Sequence, residues 1–195
     1  MKKWAIPLIW FLGIGASLRF DPLIAIGITS LALTSWLIAT DAPLLRSLFR
    51  VSPRIIALGI VSTVIMLAVT FGVVPLLIAR FPDFFAPTLA MSDIMRGGRT
   101  PLASLAYVLP IVVAEELIWR GAFEEWIGGR RYVTAFTCAL VYALAHASRG
   151  SLMLVVIAFI CGFYWSLLRE GSGSLVPALI AHLIWDTAIL FIPLG

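Results

Sequence analysis

The sequence predicts an all-α fold, a polytopic membrane bundle of about seven transmembrane helices. Three observations predict it. Of 195 residues, 62% are hydrophobic and only 12% are charged, against roughly 45–50% and about 25% in ordinary soluble chains. The mean hydropathy is +1.06. The apolar residues come in runs close to the roughly 20 residues that cross a bilayer, separated by short gaps holding most of the charge. This balance excludes a disordered chain, a disulfide-stapled scaffold and a nucleic-acid module. The net charge of +4 is scattered over the gaps as topology signals, not gathered on a polyanion-binding face. Cys138 and Cys161 lie inside apolar runs and read as small hydrophobes, not as a bridge. Residues 1–195 read as one integral membrane domain.

The first span is Trp4 to Leu18, behind Met1-Lys2-Lys3. This start has the layout of a secretory signal, with Gly15-Ala16-Ser17 near a cleavage point. Because the next apolar run, Leu23 to Ala39, follows after only Arg19-Phe20-Asp21-Pro22, an uncleaved span is favoured. Asp41 to Arg54 is a short basic gap with Arg46, Arg50 and Arg54, and Ile55 to Ala79 is the third span. Arg80 to Thr100 carries Pro82, Asp83, Pro87, Asp93, Gly97 and Gly98; it reads as a loop with room for a short surface helix. The fourth span runs from Pro101 or Leu102 to Trp119, with a kink expected at Pro110, and its tail leads to the turn Gly128-Gly129-Arg130-Arg131. The fifth span is Tyr132 to Ala147 and the sixth Leu152 to Leu168; the seventh, Leu175 to Leu194, follows the loop Arg169 to Ser174. With these spans, Lys2, Lys3, Arg46, Arg50, Arg54, Arg130, Arg131 and Arg169 share the N-terminal side, while Arg19, Arg80, Arg96, Arg99 and Arg149 lie opposite. The positive-inside rule then places the N-terminus in the cytoplasm, as expected in a prokaryotic inner or plasma membrane.

A few ionisable residues do not fit between the spans. Glu115 and Glu116 end an apolar stretch, and His146, His182 and Asp186 fall within later spans; both histidines of the chain are in this set. Ionisable groups inside a span are costly and usually face the bundle interior, where they mark a working site. On a helix, residues four apart share a face, so Glu116 lies over Arg120 and His182 over Asp186. Glu115 is rotated about 100° from Glu116, so the two acids have different jobs. Glu115 and His146 are each about 15 residues, or roughly 20 Å of helix, from the Gly128–Arg131 turn, which sets them level in an antiparallel hairpin. His182 lies roughly 16 Å from the turn on the same side, near Gly171. Tyr142, one turn before His146, either orients the imidazole or packs. Glu124 and Glu125, beyond Arg120, read as solvated.

Three motifs emerge in order: Glu115-Glu116-Leu117-Ile118-Trp119-Arg120, then Tyr142-Ala143-Leu144-Ala145-His146, then His182-Leu183-Ile184-Trp185-Asp186. The chain thereby resembles the CAAX prenyl endopeptidase and bacteriocin-processing (Abi, CPBP) family of intramembrane proteases. The resemblance covers 102–194; the first three spans match only as hydrophobic helices. It implies an endopeptidase that cuts a peptide bond of a membrane-associated protein or peptide, in a CAAX-type or a leader or sorting-tail reaction. Carried over, Glu115 with His146 is the general base pair, and Glu116 braces the site through Arg120. His182 donates to the developing oxyanion. Asp186 stands where Asn is usual. An ionised carboxylate cannot donate to an oxyanion, so Asp186 is protonated, orients His182 or assists a metal.

Amide hydrolysis needs two proton transfers and stabilisation of charge on the carbonyl oxygen, and these residue types supply all three. No cofactor is favoured, because a paired-histidine zinc helix is lacking. A zinc-dependent version of the same protease would use Glu115, His146 and His182. Other classes are a proton-coupled transporter, a haem protein with His146 and His182 as axial ligands, and a non-catalytic immunity or scaffold protein. No repeat of the first half in the second supports the transporter, and haem would leave the glutamates unexplained.

Overall fold

The computed structural model describes residues 4–86, 89, 97–192 and 194. Among these, all regular structure is helical, so the chain forms the all-α bundle that its hydropathy predicts. The helices are α1 (Ala5–Ala16), α2 (Pro22–Leu48), α3 (Pro53–Gly72), α4 (Val74–Arg80), α5 (Pro101–Ile127), α6 (Arg131–Ala145), α7 (Leu152–Ser172) and α8 (Val176–Phe191).

Side-chain caps set several starts. Asp21, Ser52, Thr100 and Ser151 accept from the backbone N–H of Ile24, Ile55, Ala103 and Leu154 at 3.1–3.3 Å. Proline follows directly in α2, α3 and α5, where its missing N–H is one that a helix start leaves unpaired anyway. α5 and α7 end on Gly128 (φ +61°) and Gly173 (φ +65°), in the left-handed region that a residue without Cβ adopts freely.

Among the described residues, four helical stretches are long and apolar enough to cross a membrane: α2, α3 with α4 as one 28-residue span, α5 and α7. α1, α6 and α8 have 12, 15 and 16 residues, or about 18–24 Å at 1.5 Å per residue. The expected ends shift accordingly. The first span stops at Ala16, the fifth at Ala145 and the last at Phe191. α2 runs past Ala39 to Leu48, so much of the expected Asp41–Arg54 gap is helical, across a break at Asp41 (φ −134°, ψ 27°) two residues before Pro43. Pro43 has no N–H for a bond to the preceding turn. Pro110 sits inside α5 without interrupting its helical backbone. Within the expected 80–100 loop, residues 82–86 are helical. Pro87, Asp93 and Arg96, with Lys2 and Lys3 from the charge count, lie outside the described residues.

The bundle is apolar outside and polar at its centre. Leu31, Val64, Leu102 and Ile160 are 60–71% exposed, as lipid-facing side chains are, whereas Glu116 and Arg120 are buried. α6 and α7 form a hairpin, α3 lies along α8, and α5 packs between α2 and α8. α1 closes one side through Ile6, Trp10 and Ile14; the Trp10 ring meets Trp119 of α5 edge-on at 6.1 Å.

Candidate active site

α5 changes its hydrogen bonding where the first motif lies. From Glu116 to Phe123 it is a π-helix with all eight residues buried. Such i→i+5 stretches hold one residue more than an α-helix would and cluster at functional sites. One carbonyl there, that of Trp119, accepts the Cys138 thiol of α6 at 3.3 Å. The Glu116–Arg120 pair read from four-residue spacing is formed: Arg120 Nη1 donates to Glu116 Oε1 at 3.1 Å, both side chains being sealed from solvent.

The neighbouring helices complete the cluster. His182 of α8 sets Nδ1 2.8 Å from the same Glu116 oxygen. Donation from Nδ1–H is the assignment that satisfies both groups. His182 Nε2 then faces Glu115 Oε2 at 3.8 Å and Asp186 Oδ1 at 3.6 Å. Tyr142 of α6 donates its hydroxyl to Glu115 Oε2 at 2.7 Å, not to the imidazole of His146. Among the described residues, Glu115 Oε1 makes no hydrogen bond to another side chain.

His146 does not lie inside a helix; it is the C-cap of α6, followed by a 3₁₀ turn over Ala147–Arg149. Its Nδ1 is 2.8 Å from the Tyr142 carbonyl, which assigns Nδ1–H as the donor and leaves the lone pair on Nε2. It forms neither a hydrogen bond nor an ion pair with Glu115. Tyr142 stands between them, its hydroxyl on Glu115 and its ring 4.5 Å from the imidazole. The short α1 reaches this turn, where Arg149 Nη1 donates to Ser17 O at 3.0 Å and Ser17 Oγ at 2.8 Å.

Two features escape pattern reading. Trp165 of α7 stacks on His182, with ring centroids 3.5 Å apart and planes 18° apart, and Arg120 lies over the Trp165 and Tyr142 rings at 5.2 and 4.4 Å. An aromatic residue inside an apolar run looks like core; the available signal is Gly162 one turn earlier, whose missing side chain opens space beside Tyr142 and Arg120. Glu124 corrects the expectation of a solvated residue. It is 1% exposed, because the π-helical stretch keeps it on the inner face, and it pairs with Arg169 Nε of α7 at 3.6 Å. Arg169 also binds Glu125 and Glu170.

Among the described residues, no three His, Cys, Asp or Glu side chains converge as a metal's ligands would. The alternative zinc set of Glu115, His146 and His182 is not gathered in this way.

The family model described as Type II CAAX prenyl endopeptidase Rce1-like matches residues 98–188, which contain all three motifs. No curated protein and no solved structure matches the chain. The segment from Gly98 to Ala188, which carries the whole polar cluster, is similar to the type II CAAX prenyl endopeptidases of the Rce1-like family.

Proposed function

We propose that the chain hydrolyses a peptide bond of a membrane-associated protein or peptide, near one end of it, with water activated by Glu115 and His146. The observation that carries the reading is the Tyr142 hydroxyl on Glu115 Oε2 at 2.7 Å. It fixes the carboxylate beside His182 while Oε1 stays available to a water. Glu115 takes a proton from that water as its oxygen bonds to the scissile carbonyl carbon. His146 Nε2, which carries the lone pair, is the second acceptor at the water. The C–N bond breaks as the proton passes to the leaving nitrogen, so one water and one amide give a carboxylic acid and an amine.

His182 serves the carbonyl oxygen. Glu116 holds Nδ1–H, Trp165 holds the ring plane, and in its doubly protonated form His182 donates Nε2–H to the oxygen as charge develops. Asp186, 3.6 Å from Nε2, orients the ring. The test is purified protein in detergent or nanodiscs with a panel of membrane-tethered peptides. Glu115→Gln is expected to lower cleavage by about 10²–10⁴-fold, the range for removing a general base. Unchanged cleavage overturns the assignment.

A further inference from the structure

The reaction proposed above consumes a water inside an apolar bundle, and the interior between α5 and α7 is built to hold water. We propose that the α5 face carrying Glu116, Arg120 and Glu124, with the α7 face carrying Gly162, Ser166 and Arg169, binds a short file of water molecules. The file joins the polar cluster to the end of the bundle at Glu125 and Glu170. The purpose assigned to it rests on the hydrolytic reading; the binding site itself does not.

The π-helical stretch brings 116, 120 and 124 to one side of α5, and three- and four-residue spacing does the same for 162, 166 and 169 on α7. Arg120 and Ser166 are 0% exposed and Glu124 is 1% exposed. Among the described residues, Glu116 Oε2, Arg120 Nε and Nη2, both Glu124 oxygens, Ser166 Oγ and Arg169 Nε lack a well-formed direct hydrogen bond to a protein group, the Ser166 hydroxyl and the Glu124 carboxylate being near neighbours. Buried polar atoms are rarely left this way, and a water with about two to four polar partners satisfies such groups. Arg169 Nε stands 3.6 Å from Glu124 Oε2, an ion pair too long for a direct hydrogen bond, and a water bonded to both groups can bridge it. Gly162 makes room at the upper end: a Cβ there would stand 3.0 Å from Arg120 Nη2.

Charge identifies the ligand. Acceptors and donors alternate in the order Glu116, Arg120, Glu124, Arg169, so an ion of either sign would meet a like charge at every second step. A molecule that both donates and accepts suits every step. Exposure then rises outward, with side chains 8% exposed at Arg169, 16% at Glu170 and 39% at Glu125.

Radiolytic footprinting of the full chain in ¹⁸O water reads bound water beside buried side chains, whether or not the protein cleaves anything. Trp165, next to Ser166, is expected to take up label well above Phe123, which is 1% exposed and lies off this path. Glu124→Leu is expected to bring Trp165 down to the Phe123 level, and Glu124→Gln to keep the label. Should Glu124→Leu fail to fold, Ser166→Val makes the same test. Trp165 labelled no more than Phe123 in the wild type, or undiminished by Glu124→Leu or Ser166→Val, overturns the proposal. Intact labelling in a protein that cleaves no peptide would instead count against the hydrolytic reading alone.

Discussion

His182 Nδ1 of α8 and Glu116 Oε1 of α5 stand 2.8 Å apart, and the same oxygen accepts from Arg120 at 3.1 Å. One carboxylate atom therefore ties the first motif to the third and holds a guanidinium that is sealed from bulk solvent.

Removing that carboxylate separates folding from chemistry. Glu116→Ala strands Arg120 as a buried unpaired charge and is expected to cost about 3–5 kcal/mol, read by unfolding in detergent. Glu116→Gln also removes the charge but keeps the shape and an oxygen that accepts from Arg120, so it is expected to lose less stability than Glu116→Ala. Its cleavage should still fall by on the order of 10²-fold, because His182 loses the partner that orients it for proton transfer.

Tyr142→Phe deletes the hydroxyl on Glu115 and leaves the ring against His146 and Arg120. A hydrogen bond to a charged group is worth about 1.5–3 kcal/mol, so cleavage is expected to drop by about 10- to 100-fold with unfolding little changed. Equal cleavage by the two proteins would show that the 2.7 Å contact does not position the base.

Gly162→Ala tests the fit of α7 to the cluster. Its Cβ would lie 2.9 Å from Tyr142 Cδ1 and 3.0 Å from Arg120 Nη2. Overpacking of this kind costs about 1–3 kcal/mol and should displace both side chains, lowering thermal stability and cleavage together. Gly27, where an added Cβ would meet nothing within 4 Å, is the control expected to tolerate Ala.

Outside the spans, Asp21 pairs with Arg99 at 2.7 Å. That guanidinium holds the Asp21 carboxyl below the usual carboxylate range. A folded-state value lower than the unfolded one adds stability that is present above the unfolded value, about 3.9, and is lost as pH falls through the folded value. Protection of the amides at the start of α2, taken relative to their intrinsic exchange rates, is expected to fall under acid in the wild type, and to show less pH dependence in Asp21→Asn.

The ungathered zinc set makes its own forecast. Cleavage by the purified protein is expected to survive a strong chelator, whereas loss on chelation with recovery on adding zinc would favour the metal version.

The long spans are legible in the sequence because a bilayer demands continuous apolar length, and the Glu116–Arg120 and His182–Asp186 contacts are legible because helical periodicity alone brings them together. Equal distances from the Gly128–Arg131 turn set Glu115 and His146 at one level, but depth does not specify azimuth, and Tyr142 fills the space between them. The π-helical hydrogen bonding from Glu116 to Phe123 carries no pattern of its own. Without it Glu124 reads as a surface residue beyond the end of a span, and Trp165 reads as core.

That extra residue lets α5 absorb a change of chain length at one place. Deleting a single position between Arg120 and Phe123 would let the backbone close to i→i+4 bonding with everything after it left nearly in register. The same deletion in the α-helical part of α5, between Pro101 and Ala114, would instead turn what precedes it by about 100° relative to the polar cluster, so one missing residue is mild at one point of the helix and disruptive at another.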